Sequence, residues 1–248
     1  MLLAKDRLIV ALDVDSREEA LTIVKALGNN CGTFKVGMQL HNSVGFAITE
    51  EIIALGYPVF LDLKFHDIPN TVAKASSVVT SKGVSMFTLH ASGGKAMMAQ
   101  AAEEAAKKAD LTARQKPLVL AVTILTSMNQ QTLNEEVGMA GSVEQNVLRL
   151  ARLAEEAGVG GIVASPQEIH LLREHCGKDF IIVTPGVRPQ WADANDQART
   201  MTPQEAMAAG ADYLVVGRPI TKAADPAQAA LRIIEEMEKG MAQRKTHQ

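Results

Sequence analysis

"VFLDLKFHDIPNT", residues 59–71, opens as an apolar, β-forming run and then sets Asp62, Lys64 and Asp67 within six positions. Val59, Phe60, Leu61 and Leu63 are the residues of a buried strand. A buried ion pair stabilises a fold poorly, so packing alone is a weak reason for charges at the end of such a strand. Asp62 and Lys64 lie two positions apart, and on a pleated strand residues at that spacing share a face. The spacing predicts that Phe60, Asp62 and Lys64 point inward while Leu61 and Leu63 meet covering helices.

Seven similar runs accompany this one, at 7–14, 33–37, 86–91, 118–124, 161–165, 180–186 and 213–218. Each is short and rich in Val, Ile and Leu, and longer amphipathic stretches separate them, which is the pattern of parallel strands alternating with helices. Ser16 with Glu19 reads as a capping box, Leu21, Val24 and Leu27 share a helix face, and Gly28 suits the helix end. Gly56, Gly83, Gly158 and Gly210 each fall shortly before a strand, and their recurrence argues for one repeated unit. Eight such units within 248 residues predict an α/β fold, a (β/α)8 TIM barrel occupying 1–248 as a single domain. An open doubly wound sheet would place a Gly-rich fingerprint after the first strand, and "ALDVDS" has none. Residues 188–199 read as a long mobile loop, and 239–248 as a frayed tail.

A net charge of -3 and a pI near 6.1 provide no basic field, which argues against nucleic acid or an anionic membrane surface as a partner. Cys31 and Cys176 are the only cysteines and form no C-x-x-C motif, so neither a disulfide framework nor a thiolate zinc site is expected; a reduced, cytoplasmic setting is. The first apolar run follows Lys5, Asp6 and Arg7 and stops at Asp13, unlike a signal peptide, and no segment has the length of a membrane span.

The polar residues cluster at strand ends: Asp13, Lys35, Asp62, Lys64, His90, Thr123, Ser165, Thr184 and Arg218. In a barrel those ends form one mouth, where barrel enzymes carry their chemistry. Lys35, Asp62, Lys64 and Asp67 are expected to form an alternating charged array. A carboxylate about 4 Å from an ammonium gains on the order of 4 kcal/mol at an effective dielectric of 20, which keeps Lys64 protonated and makes it an acid rather than a Schiff-base amine. Gly186 with Arg188 and Gly217 with Arg218, after the seventh and eighth strands, stand where barrels bind phosphate. The histidines of "HLLREH" are spaced i, i+5 and fall on different helix faces, which disfavours a metal site. His90 reads as a pocket wall and His66 as an orienting or exposed group.

Together, "ALDVD" (11–15), "FKVG" (34–37), "FLDLKFHDIPNTV" (60–72), "HASGG" (90–94), "VTILTSM" (122–128), "TPGVRP" (184–189) and "VVGRPI" (215–220) resemble the orotidine 5′-phosphate decarboxylases of bacterial type, in order and over nearly the whole chain. The resemblance implies a cofactor-free lyase, without a metal, that converts orotidine 5′-phosphate to UMP and CO₂ in pyrimidine synthesis. It implies that Lys64 protonates C6, that Asp62 lies beside the departing carboxylate, and that Lys35 and Asp67 complete the array. It further implies that Asp13 binds ribose, that Thr126 meets the pyrimidine edge, and that Arg188, Gln197, Gly217 and Arg218 hold the phosphate region. Asp67 and Thr71 would reach the neighbouring subunit's site, making a homodimer. Two alternatives remain: a magnesium-dependent keto-sugar-phosphate decarboxylase, which would carry an acidic residue where Lys35 stands, and a non-catalytic phosphate-binding barrel.

Overall fold

Eight parallel strands form at Leu8–Ala11 (β1), Thr33–Gly37 (β2), Val59–Phe65 (β3), Met86–His90 (β4), Leu118–Val122 (β5), Gly161–Val163 (β6), Ile181–Pro185 (β7) and Tyr213–Val216 (β8). They close in sequential order, with β8 pairing back onto β1 through Leu8–Leu214, Ile9–Val215 and Val10–Val216. The computed structural model describes residues 2–191 and 201–246. Several strands are shorter than the apolar runs predict. Leu12, Val14, Thr123 and Ile124 stay buried but lie beyond the last paired residues of their strands, where the chain turns at the barrel mouth.

Strand alternation divides the core in two. Ile9, Ala11, Phe60, Met86, Leu120, Val183 and Val215 fill the barrel, while their neighbours Leu8, Val10, Phe34, Val36, Leu61, Phe87 and Leu89 pack under the helices. The outer layer comprises Arg17–Leu27 (α1), Met38–Val44 (α2), Ala47–Ala54 (α3), Pro69–Ser81 (α4), Lys95–Leu111 (α5), Val143–Glu156 (α6), Ile169–His175 (α7), Pro203–Ala209 (α8), Arg218–Thr221 (α9) and Pro226–Thr246 (α10). None of the described helices is long and apolar enough to cross a membrane. At α1 the Ser16 hydroxyl accepts from the Glu19 amide (3.2 Å), one half of the predicted capping box. Complete boxes form instead at Ser142 with Gln145 and Thr202 with Glu205. The four glycines before strands do take positive φ, from 75° at Gly158 to 117° at Gly210.

The tail differs from expectation: α10 runs to Thr246 rather than fraying from 239. A Cβ at Gly240 would lie 2.2 Å from the Gln204 carbonyl oxygen, so the missing side chain lets α10 lie directly on α8. Arg244 adds hydrogen bonds to the Gly210 and Ala211 carbonyls, at 3.2 and 3.4 Å. Of the predicted loop 188–199, residues 192–199 lie outside the described residues, Gln197 among them. On its near side the Arg188 amide donates to the Met201 carbonyl (2.8 Å), which brings 188 and 201 together.

Candidate active site

β3 does not reach the mouth as a regular strand. Phe60 pairs with Met86 and Leu61 with Phe87, but the next pair is Phe65 with Leu89, so Asp62, Leu63 and Lys64 stand opposite Thr88 alone. The excess is taken up as a bulge, and Lys64 sits at φ 53°, in the left-handed region that a non-glycine residue enters at a cost of about 1–3 kcal/mol. Asp62 and Lys64 line the same cavity as Phe60, as predicted, yet the bulge rather than a simple pleat brings Lys64 there. Leu63 packs on the helix side, also as predicted. One hydroxyl closes the bulge: Thr88 Oγ1 accepts from the Lys64 amide (2.9 Å) and donates to Asp62 Oδ1 (2.9 Å).

The charges alternate along the mouth. Lys64 Nζ lies 2.9 Å from Asp62 Oδ1. Lys35 Nζ lies 3.7 Å from Asp62 Oδ2 and 2.9 Å from Asp13 Oδ1. Within the chain the fourth member is therefore Asp13, not Asp67. Asp67 follows the bulge, is exposed, and its carboxylate accepts from the adjacent Ile68 amide (2.7 Å). Thr71, in the first turn of α4, is exposed as well. Gly37 makes room for the array, since a Cβ there would come within 2.7 Å of Lys35 Nζ. Burial pushes the Asp62 carboxyl up, but the ammonium groups of Lys35 and Lys64, with hydrogen bonds from Lys64 and Thr88, outweigh it and hold the carboxyl below its usual range. Asp62 thus remains an anion although only 15% of its side chain is exposed.

The cavity above the array measures about 320 Å³. Asp13, Lys35, Asp62 and Lys64 line it together with Thr126, Gly186, Val187, Arg188, Gly217 and Arg218, and Gly217 adjoins Asp13, since a Cβ there would lie 3.9 Å from Asp13 Oδ2. Of the two arginines in the lining, Arg188 is buried and Arg218 exposed. Arg218 does not end β8 as predicted; the strand stops at Val216 and Arg218 opens α9, whose Thr221 also lines the cavity.

Not every polar strand end converges on the cavity. Thr123, Ser165 and Thr184 are buried in its surrounding wall, where their neighbours Val122, Ala164 and Pro185 supply the lining. His90 is likewise not part of the lining; its ring packs 5.3 Å from that of His66. Burial, then the charges of His66 and Lys64, hold the His90 imidazole below its ordinary range. Sequence reasoning missed Thr88, Gly37 and Thr221. The alternation of "MFTLH" carried a signal for the first, since Met86, Thr88 and His90 must share a face.

A family model described as the orotidine 5′-phosphate decarboxylase / HUMPS family matches residues 6–233. The chain belongs to this family. It is 64% identical over 241 residues to a protein of Heliobacterium modesticaldum named orotidine 5′-phosphate decarboxylase, covering 97% of this chain and 99% of the relative. A relative of the same name from Syntrophomonas wolfei is 54% identical, with 95% and 99% covered. Among solved structures, the orotidine 5′-phosphate decarboxylase of Lactobacillus acidophilus superimposes with a TM-score of 0.82 at 36% identity, over 93% of this chain and 98% of that one. The closed barrel is thus the fold of a named decarboxylase of the family.

Proposed function

We propose that this chain is an orotidine 5′-phosphate decarboxylase, a cofactor-free carboxy-lyase that converts orotidine 5′-phosphate to UMP and CO₂ in pyrimidine synthesis, acting as one domain across 1–248. The observation that carries this reading is the Asp13, Lys35, Asp62, Lys64 array sharing one cavity with Arg188 and Arg218. When the bond between C6 and the carboxyl carbon breaks, the electron pair stays on C6. The Lys64 ammonium stabilises that charge and then delivers its proton to C6. Such a cation stabilises the transition state more than the ground state, which is what lowers a barrier. Asp62, held anionic, repels the substrate carboxylate but not neutral CO₂. Arg188, Gly217 and Arg218, with Gln197, bind the phosphate; Asp13 binds ribose and Thr126 the pyrimidine edge.

Asp67 and Thr71 serve a second copy of the chain, in a homodimer with shared sites; their exposure beside the mouth supports this role. The working location is the cytoplasm. The magnesium-dependent sugar-phosphate reading is disfavoured by Lys35, whose ammonium stands between the Asp13 and Asp62 carboxylates, where it repels a dication.

The test is the ultraviolet absorbance change when the purified, chelator-treated protein meets orotidine 5′-phosphate. Turnover is expected. No turnover with or without chelator would overturn the proposal in favour of a binding barrel, and turnover abolished by chelation would favour the metal-dependent reading.

A further inference from the structure

Thr88 is fully buried on β4 and is the sole residue opposite the three-residue bulge of β3. A bulge breaks the ladder that otherwise orients a strand, so Asp62 and Lys64 need another reference. The hydroxyl supplies it, since its oxygen takes the Lys64 amide and its proton goes to Asp62 Oδ1. The same Oδ1 accepts from Lys64 Nζ at 2.9 Å. A closed circuit results: Lys64 backbone, Thr88 hydroxyl, Asp62 carboxylate, Lys64 ammonium. Both ends of Lys64 are tied through one oxygen-to-oxygen bond, at a residue whose φ of 53° needs outside support to persist. Thr88, branched at Cβ, has few rotamers with which to leave this arrangement.

We propose that Thr88 is a positioning residue for the reaction, its hydroxyl locking the Asp62 carboxylate to the left-handed Lys64 backbone and so aiming the Lys64 ammonium into the cavity. This rests on the decarboxylase reading for its kinetic consequence, but not for its structural one. Thr88→Val keeps the shape, leaves the Lys64 amide without its acceptor and takes a donor from Asp62. Lys35 and Lys64, and His90 on β4, face Asp62 in the variant as in the parent, so a change in its titration isolates the hydroxyl.

The experiment compares parent, Thr88→Val and Thr88→Ser. The Val variant should lose about 10- to 100-fold in kcat with KM within about threefold, because the geometry of the array changes and the phosphate wall does not. The acid limb of its pH profile should move to higher pH. The Ser variant, which keeps the hydroxyl, should stay within about threefold of the parent. A Val variant with parental kcat, a loss residing in KM, or a Ser variant as impaired as Val would overturn the proposal. Independently of turnover, the Asp62 carboxyl signal, observed by ¹³C NMR and assigned against Asp62→Asn, should titrate at higher pH in the Val variant; an unchanged midpoint would overturn it. If the parent does not turn over, the decarboxylase reading falls and this titration alone decides the role of Thr88. If the Val variant does not fold, Thr88→Cys, of similar volume but a weak donor, takes its place with the same expectations.

Discussion

Lys64 occupies a backbone conformation that side-chain-bearing residues avoid, and it does so two residues from a carboxylate that its own ammonium contacts at 2.9 Å. Strain of this kind persists where the surroundings over-determine it, and here those surroundings are Thr88 and Asp62. Lys64→Ala should therefore abolish turnover of orotidine 5′-phosphate without unfolding the protein, because Asp62 keeps Lys35 and Thr88 as partners. Kinetics and circular dichroism together check this. A variant retaining more than about a hundredth of the parent rate, a contribution under roughly 2.7 kcal/mol, would refute the proton-donor role. Asp62 was legible as a site residue from its spacing to Lys64. Its second lysine neighbour, Lys35, was legible as a member of the charged array, but the contact itself depends on the register of β2 against β3, which pairs Gly37 with Asp62.

At the scale of elements, the apolar runs located all eight strands, and the errors gather at their ends. Hydrophobicity continues past the last paired residue wherever a chain enters a buried turn, as at Leu12 and Ile124, so composition overestimates strand length. The C-terminal segment was misread for the opposite reason. "KGMAQRKTHQ" is polar and contains a glycine, which by itself suggests an end, but Gly240 marks close helix packing. Gly240→Ala should push α10 away from the Gln204 carbonyl and Met207 and destabilise the fold by about 1–3 kcal/mol, lowering the melting temperature by about 2–10 °C. Calorimetry of the pair measures it; an unchanged melting temperature would mean that the contact yields freely.

At the scale of the molecule, closure of β8 onto β1 brings Gly217 and Arg218 to the same cavity as Lys35 and Asp62, residues far apart in the chain. Six charged residues of one chain line the cavity, Asp13, Lys35, Asp62, Lys64, Arg188 and Arg218, while Asp67 and Thr71 are exposed and outside that lining. If a second copy uses them, chains carrying Lys64→Ala and Asp67→Ala, each inactive alone, should regain activity when mixed, since a heterodimer contains one site with both residues intact. Steady-state assays after verified subunit exchange test this, and absence of recovery would count against shared sites.

The order and period of the apolar runs, the glycines before strands, and the motifs from "ALDVD" to "VVGRPI" were sufficient to determine an eight-unit barrel, its family resemblance and most of the site. These are local properties, written in spacing and side-chain chemistry. Tertiary structure alone decided that Asp13 contacts Lys35 within one chain, that three residues of β3 face one of β4, and that the hydroxyl of Thr88 binds them. The physical reason is that such contacts depend on register between strands 22 to 26 residues apart, and a bulge shifts that register without leaving a mark in the hydrophobic period.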